Sequence, residues 1–250
     1  MTLFAAIATL ATMAASAVLQ ASIGFGFAIF SIPLLVLLGW TVPEAIALAG
    51  AGMTVQMVAG LLRLGQHISL RPLLPWIALT LISFTVGLLA LKVVAQRQPQ
   101  LLEAMVGGGV LVAVLLQGAV GKRPTVDVGP GWTAVAMVSS GLLNGATGMG
   151  GPPLIIWAVA HPWEPARVRA TIWAMILPRM PLQILLLYLA FGQPTVRATL
   201  LGLVAAPAIL GGSALGLMLG ARLSGEGLRR ISLVVLTAVG VYTVIKALLG

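Results

Sequence analysis

One arginine stands where the sequence offers it no obvious partner. Arg179 lies inside an apolar stretch at residues 170–191, between Pro178 and Pro181. A charge near the centre of a membrane-spanning helix costs at least about 2.5–3.5 kcal/mol, so such a residue normally faces a cavity or a partner. No carboxylate is predicted at that depth, and the guanidinium fork matches the oxygens of a small oxyanion. The alternative is that Arg179 donates hydrogen bonds to carbonyl groups freed by the two prolines.

Two glycine-containing segments, residues 22–33 and 146–154, are the second candidate feature. In both, a small polar residue leads into a Gly-x-Gly sequence and an apolar run follows. Glycine adopts positive φ at little cost, whereas each unpaired backbone group in hydrocarbon costs several kcal/mol. The pattern therefore predicts two interrupted helices whose breaks face protein or water. The restarted helices would direct free N–H groups and a positive dipole end at the breaks, which favours an anion.

Further polar residues are placed to join these features. Small polar residues flank the two breaks, although such residues also cap broken helices, and Gln183 follows Arg179 by one helical turn. Gln56 lies in the first half of the chain in a comparable apolar span, where an interhelical hydrogen bond is an equally good explanation. The predicted substrate-binding residues are Gln20, Ser22, Gly24, Gly26, Gln56, Asn144, Thr147, Gly148, Gly150, Gly151, Arg179 and Gln183.

The composition indicates what kind of protein must position these residues. Of 250 residues, 60% are hydrophobic and 8% are charged, and the mean hydropathy is +1.10. Soluble domains carry about 25% charged residues. Continuous apolar stretches of roughly 20 residues favour helices over a transmembrane barrel. We therefore predict an all-α polytopic membrane protein.

Several other classes of function lose support. The net charge of +9 comes from basic residues scattered over short loops, which predicts orientation in a bilayer and no binding of nucleic acid. The chain has no cysteine, and it has no Gly-x-Ser-x-Gly motif, no His-Glu-x-x-His motif and no acid predicted at mid-membrane. No catalytic residue, metal or cofactor is predicted. An intramembrane lipid-phosphate enzyme and a structural membrane subunit stand as the alternatives to a transporter.

The apolar stretches divide the chain into two halves that form one membrane domain. Repeat 1 covers residues 1–120, with a broken or re-entrant hairpin at 3–38 and spans at 45–62, 73–91 and 101–120. A linker rich in Gly, Pro and charge is predicted at 121–131. Repeat 2 covers residues 132–250, with a hairpin at 132–160 and spans at 170–191, 198–219 and 228–249. Corresponding features keep register (148 − 24 = 124 for the break glycines), which indicates a duplicated unit of about 125 residues and pairs Arg179 with the region of Gln56.

The basic residues predict how the halves are inserted. If each hairpin returns to its starting side, nine basic residues share one face of the membrane and four lie on the other. If each broken segment crosses once, the split is seven to six. The positive-inside rule favours the first arrangement, in which each half crosses an odd number of times and the halves are inverted repeats. Both termini are then predicted on the non-cytoplasmic side.

The paired glycine segments, the Gly-x-Gly-Gly-Pro-Pro-Leu sequence at 148–154 and the duplicated layout resemble the sulfite exporter TauE/SafE family of membrane transporters. The resemblance covers essentially the whole chain, although Phe25, Phe27 and Ala28 depart from the denser glycine run that the family often shows. It implies a transporter of the cell inner membrane for a small anion, namely sulfite, a sulfonate such as sulfoacetate, or a related organic acid. Alternating access would then operate around the two breaks. A homodimer is compatible with the sequence.

Overall fold

All the regular structure that the protein shows is helical. The computed structural model describes residues 3–24, 26–119, 128–222 and 225–249, and no strand occurs in these ranges. Their helices are α1 (Leu3–Ile23), α2 (Phe27–Leu37), α3 (Val42–Leu64), α4 (Leu74–Arg97), α5 (Pro99–Ala119), α6 (Pro130–Thr147), α7 (Gly151–Ala160), α8 (Pro165–Ile176), α9 (Arg179–Phe191), α10 (Gln193–Val204), α11 (Ala206–Arg222) and α12 (Gly225–Leu249). Most of the predicted linker at 121–131 lies outside the described residues.

Four helical segments in the described part of the chain are long and apolar enough to cross a membrane. They are Leu3–Ser22, Val42–His67, Arg71–Arg97 and Pro165–Phe191. The pair α10 and α11 makes a fifth if the two helices, which meet at an angle of 51°, form one span. The prediction of an all-α, multi-pass membrane protein is therefore confirmed.

Two of the predicted spans are interrupted. The span at 170–191 is divided between α8 and α9 at Leu177 and Pro178, next to Pro178 and Pro181, which cannot donate helical hydrogen bonds. The span at 198–219 is divided at Ala205 between α10 and α11, which the sequence analysis did not predict. Pro207 explains this second break, because a proline ring clashes with the carbonyl group four residues earlier and removes a helical hydrogen bond.

The two glycine breaks begin in the same way. At the end of α1, Gly24 has a φ of 90° and its N–H donates to the Gln20 carbonyl oxygen at 2.8 Å. At the end of α6, Gly148 has a φ of 76° and its N–H donates to the Asn144 carbonyl oxygen at 2.7 Å. This left-handed helix cap strains any residue with a Cβ, so glycine is required at both positions.

After each break the chain doubles back along the helix that precedes it. The indole nitrogen of Trp40, just beyond α2, donates to Thr9 Oγ1 near the start of α1 at 3.1 Å. The indole nitrogen of Trp157, in α7, donates to Thr133 Oγ1 near the start of α6 at 3.0 Å. The two threonines are separated by the same interval as the break glycines (133 − 9 = 124), whereas the tryptophans are 117 residues apart (157 − 40 = 117), so both hairpins are closed by a tryptophan–threonine hydrogen bond of which only the acceptor keeps the register.

The first helix of each hairpin packs against a helix of the other half through glycines. In α11, Gly212, Gly216 and Gly220 lie against the backbone of α1 at Ala14, Val18 and Ser22 respectively. Small residues at a spacing of four let helix backbones approach closely within a membrane. The order of these contacts shows that α1 and α11 run in the same direction.

Two further close helix pairs follow the same principle. In α6, Gly141 lies against Thr80 and Phe84 of α4, and Gly145 lies against Phe84 and Leu88, so α4 and α6 also run in the same direction. Gly107 of α5 lies against residues 240 and 244 of α12, whereas Gly240 lies against residues 110 and 111. The last helices of the two halves, α5 and α12, are therefore antiparallel.

We expect Gly145→Ala to lower the melting temperature of the purified protein by roughly 3–10 °C, because overpacking costs about 1–3 kcal/mol. The added Cβ would meet the backbone of α4, which cannot move aside as a flexible side chain would. Gly108→Ala is the matched control, since that helical glycine has open space around its missing Cβ. Alanine is the better helix former by about 1 kcal/mol, so the control should melt at the same temperature or slightly higher. Equal melting temperatures for the two variants would contradict the close packing of α4 on α6.

Candidate functional site

A small, partly open cavity lies where the two breaks meet. Its volume is about 50 Å³, on a measure in which one water molecule needs roughly 10–15 Å³, so it accommodates a small ion with little water. Residues from both halves line it: Gln20, Gly24, Gly26, Phe27, Ala28, Ile29, Met53, Met57, Asn144, Gly148, Met149, Gly151, Ile155, Ile172, Trp173, Ile176 and Arg179. Seven of the twelve residues predicted from the sequence are among them.

Arg179 supplies the positive charge of this cavity. It is 2% exposed and is one of the largest fully buried side chains in the described residues. Its guanidinium carbon lies 5.5 Å from the centre of the Phe84 ring, within the range of a cation–π contact. Its Nε has no hydrogen-bond partner, and neither a carboxylate nor a carbonyl oxygen of the described residues pairs with the side chain. The alternative role, in which Arg179 satisfies carbonyl groups freed by the prolines, therefore gains no support.

Two amide side chains reach the cavity from corresponding positions (144 − 20 = 124). Asn144 is 3% exposed, and its Nδ2 donates to the Gly148 carbonyl oxygen at 3.1 Å, so this amide stabilises the second break. Gln20 is 6% exposed, and its side chain forms no hydrogen bond with any described residue. The Gln20 amide is therefore free to donate to a bound group, whereas Nδ2 of Asn144 is already engaged and only its Oδ1 has no partner among the described residues.

The two restarted helices offer different numbers of backbone donors. The first N–H groups of an α-helix have no acceptor within the helix. In α2 these belong to Phe27, Ala28 and Ile29, which line the cavity and find no acceptor elsewhere in the described residues. In α7 the second and third residues are Pro152 and Pro153, which have no N–H. The first break thus provides more donors than the second, although the second has the denser glycine and proline sequence.

The predicted residues Gln56 and Gln183 are buried but do not line the cavity. Gln56 Nε2 donates to the Ala17 carbonyl oxygen at 3.3 Å, which ties α3 to α1. Gln183 Nε2 donates to the Ile46 carbonyl oxygen at 3.2 Å, which ties α9 to α3. Both glutamines thus form interhelical hydrogen bonds, which was the alternative kept for Gln56 from the sequence. Met57, the neighbour of Gln56, faces the cavity instead.

Three further predicted residues, Ser22, Thr147 and Gly150, also lie off the cavity. Each takes part in hydrogen bonds that hold a helix or a hairpin together. The partners are Val18 and Gly216 for Ser22, Leu143 and Met149 for Thr147, and Ser140 for Gly150. A Cβ on Gly150 would meet the backbone of α6, so this glycine allows the hairpin to close and leaves the cavity to Gly151.

The sequence analysis missed the apolar part of the cavity wall. Ile172, Trp173 and Ile176 of α8 line the cavity together with Arg179. Positions separated by three, four and seven residues share one face of a helix, so these residues, at intervals of one, three and four, lie together on one side of α8. An arginine on an otherwise apolar face is suited to a ligand that carries charge at one end and little hydration elsewhere.

Comparison with known proteins places the chain in a family. No curated protein and no solved structure matches it significantly. The family model described as Sulfite exporter TauE/SafE matches residues 8–243, nearly the whole chain, including both glycine breaks and Arg179. The match confirms the resemblance noted from the glycine segments, and the chain belongs to the sulfite exporter TauE/SafE family.

Proposed function

We propose that the protein transports a small, singly charged oxyanion, which binds in the cavity with its oxygens on Arg179. Family membership indicates a membrane exporter of sulfite or a related anion. The observation that carries the finer proposal is the buried guanidinium of Arg179, which has no counter-charge among the described residues. Candidate substrates are sulfite in its singly protonated form, a sulfonate such as sulfoacetate, and related organic acids.

The charge of the site favours a monoanion. One arginine and no carboxylate line the cavity. Removing an ion from water into a low-dielectric interior costs several kcal/mol per ion, and a fixed opposite charge offsets that cost only if the pair is neutral and well hydrogen-bonded. A single guanidinium neutralises one negative charge, so a dianion would keep an unpaired charge inside the membrane.

Neutral donors complete the proposed binding site. The bidentate guanidinium can take two oxygens of the anion, and the free N–H groups at the start of α2 and the Gln20 amide can take the remaining lone pairs. These donors come from both halves of the chain, because Gln20 and α2 belong to the first half and Arg179 to the second. Movement of one half against the other would therefore open the site to either side in turn.

We infer that the two halves are inverted repeats, which is the arrangement that such alternating access uses. Three observations support this: the tryptophan–threonine hydrogen bond in each hairpin, the common offset of 124 residues at Thr9, Gln20 and Gly24, and the antiparallel packing of α5 on α12. Corresponding helices that run in opposite directions are expected only if the halves enter the membrane in opposite senses. Both termini would then lie outside the cytoplasm, and the cell inner membrane is the proposed location.

We expect Arg179→Met to abolish sulfite transport and to raise the stability of the substrate-free protein. Removing one partner of a buried charge pair costs 2–5 kcal/mol of binding, about 30-fold or more in affinity. The substrate-free protein, in contrast, loses an uncompensated buried charge and gains an apolar side chain of similar length. Flux into proteoliposomes and the melting temperature with and without sulfite measure both effects.

Arg63→Gln is the matched control, because Arg63 is an exposed arginine at the end of α3. It should retain both the flux and the stabilisation by sulfite. At a concentration of 100 Kd the ligand adds about 2.7 kcal/mol of stability, so the wild-type protein should melt roughly 5–10 °C higher. Normal flux in Arg179→Met would remove this arginine from the binding site.

Two buried glutamines should respond in opposite ways to replacement by leucine. Gln20→Leu should raise the KM for sulfite about five- to tenfold and leave the melting temperature unchanged, because the Gln20 amide has no partner to lose. Gln183→Leu should leave KM unchanged and destabilise the protein by about 1 kcal/mol, because it loses the hydrogen bond to Ile46. The same KM for wild type and Gln20→Leu would show that this amide does not touch the anion.

A further inference from the structure

A second arginine lies beside the cavity, at the first break. Arg169, in the second turn of α8, places its Nε and Nη2 at 3.8 and 4.0 Å from the point that a Cβ on Gly24 would occupy. Gly24 lines the cavity. The guanidinium of Arg169, a residue of the second half of the chain, is thus close to the backbone of the first half where α1 ends.

The Arg169 side chain has no partner that would explain its position. It is half-buried, and it forms no hydrogen bond or ion pair with any residue in the described ranges. Arg167, two positions earlier, differs: it is exposed, and its guanidinium carbon lies 4.8 Å from the centre of the Trp163 ring. The positive-inside rule accounts equally well for both arginines, so it does not explain why the Arg169 side chain lies close to the break.

Arg169 also shares a helix face with the cavity wall. Within α8, positions 172, 173 and 176 follow position 169 by three, four and seven residues. Such positions form one stripe along a helix. Ile172, Trp173, Ile176 and Arg179 line the cavity, so Arg169 is the next member of the stripe toward the start of α8. Arg169 and Arg179 are ten positions apart in one kinked helical segment, which places their α-carbons up to about 15 Å apart along its axis.

We propose that Arg169 forms an entrance site, which receives the oxyanion from the cytoplasmic side before the anion reaches Arg179. The inference depends on the transport function proposed above. The half-buried Arg169 holds an anion that still carries part of its hydration shell, and the buried Arg179 holds it after the remaining water is lost. Division of dehydration between two sites lowers the cost of each step, and a cation at the mouth raises the local concentration of anions.

The test is the concentration dependence of labelled sulfite uptake into inside-out membrane vesicles, for wild type, Arg169→Gln, Arg169→Lys and Arg167→Gln. Arg169→Gln should raise KM about three- to tenfold, which corresponds to about 0.7–1.4 kcal/mol, and should keep the maximal rate within about twofold. The wild-type KM should increase with ionic strength, because added salt screens a partly exposed charge, and this increase should be much smaller in Arg169→Gln. Arg169→Lys should restore most of the affinity, and Arg167→Gln should behave as wild type.

The results distinguish a failure of the entrance site from a failure of the transport function. If Arg169→Gln matches wild type in KM and salt dependence while Arg179→Met has no flux, the entrance site is refuted and the transport function stands. An equal rise of KM in Arg167→Gln would also refute it, because the effect would then belong to the general surface charge. A lower maximal rate at unchanged KM would assign Arg169 to the moving parts of the transporter. Absence of saturable flux in the wild type would refute the transport function itself.

Discussion

The constraint on which the rest of this structure depends is an arginine that is 2% exposed inside an apolar helical protein and has no counter-charge among the described residues. Such a residue is costly in the membrane interior, and the protein reduces the cost in only two visible ways: the Phe84 ring under the guanidinium and the cavity in front of it. An unbroken bundle of rods would offer that charge neither free backbone N–H groups nor space for an anion. The two glycine breaks supply both, and they are therefore the structural counterpart of the arginine.

The breaks in turn depend on how the halves pack. Each hairpin is closed on itself by a tryptophan–threonine hydrogen bond, and its first helix packs through glycines on a helix of the opposite half. The break that follows is consequently presented to the other half: Gly24 lies near Arg169 of α8, and Gly148 lies against Ile32 and Ile46. The geometry of a site assembled across this interface changes whenever the halves move relative to each other, which is the property that a transporter needs.

Much of this organisation follows from simple rules applied to the sequence. Hydropathy predicts the helical membrane class, and the glycine pairs predict the two breaks, because hydrocarbon tolerates irregular backbone only where protein or water surrounds it. Arg179 was identifiable because a lone charge in an apolar span demands an explanation.

The rest of the site depends on the direction in which each side chain points. Gln56 and Met57 are adjacent in sequence, yet α3 turns the amide toward α1 and the methionine toward the cavity. The start of α7 is a similar case. Its proline pair predicts a restarted helix that binds an anion, but Pro152 and Pro153 have no N–H groups, so the start of α2 offers more donors.

The central claim is that one anion sits between the Arg179 guanidinium and the first N–H groups of α2. The most direct measurement is an X-ray structure of crystals grown with selenite, which has the shape and charge of sulfite and carries selenium as an anomalous scatterer. The account predicts one strong selenium peak in the cavity, with its oxygens within about 3 Å of the guanidinium nitrogens and of the N–H groups of residues 27–29. A cavity empty at saturating selenite, or a peak bound elsewhere with Arg179 paired to a protein carboxylate, would contradict it.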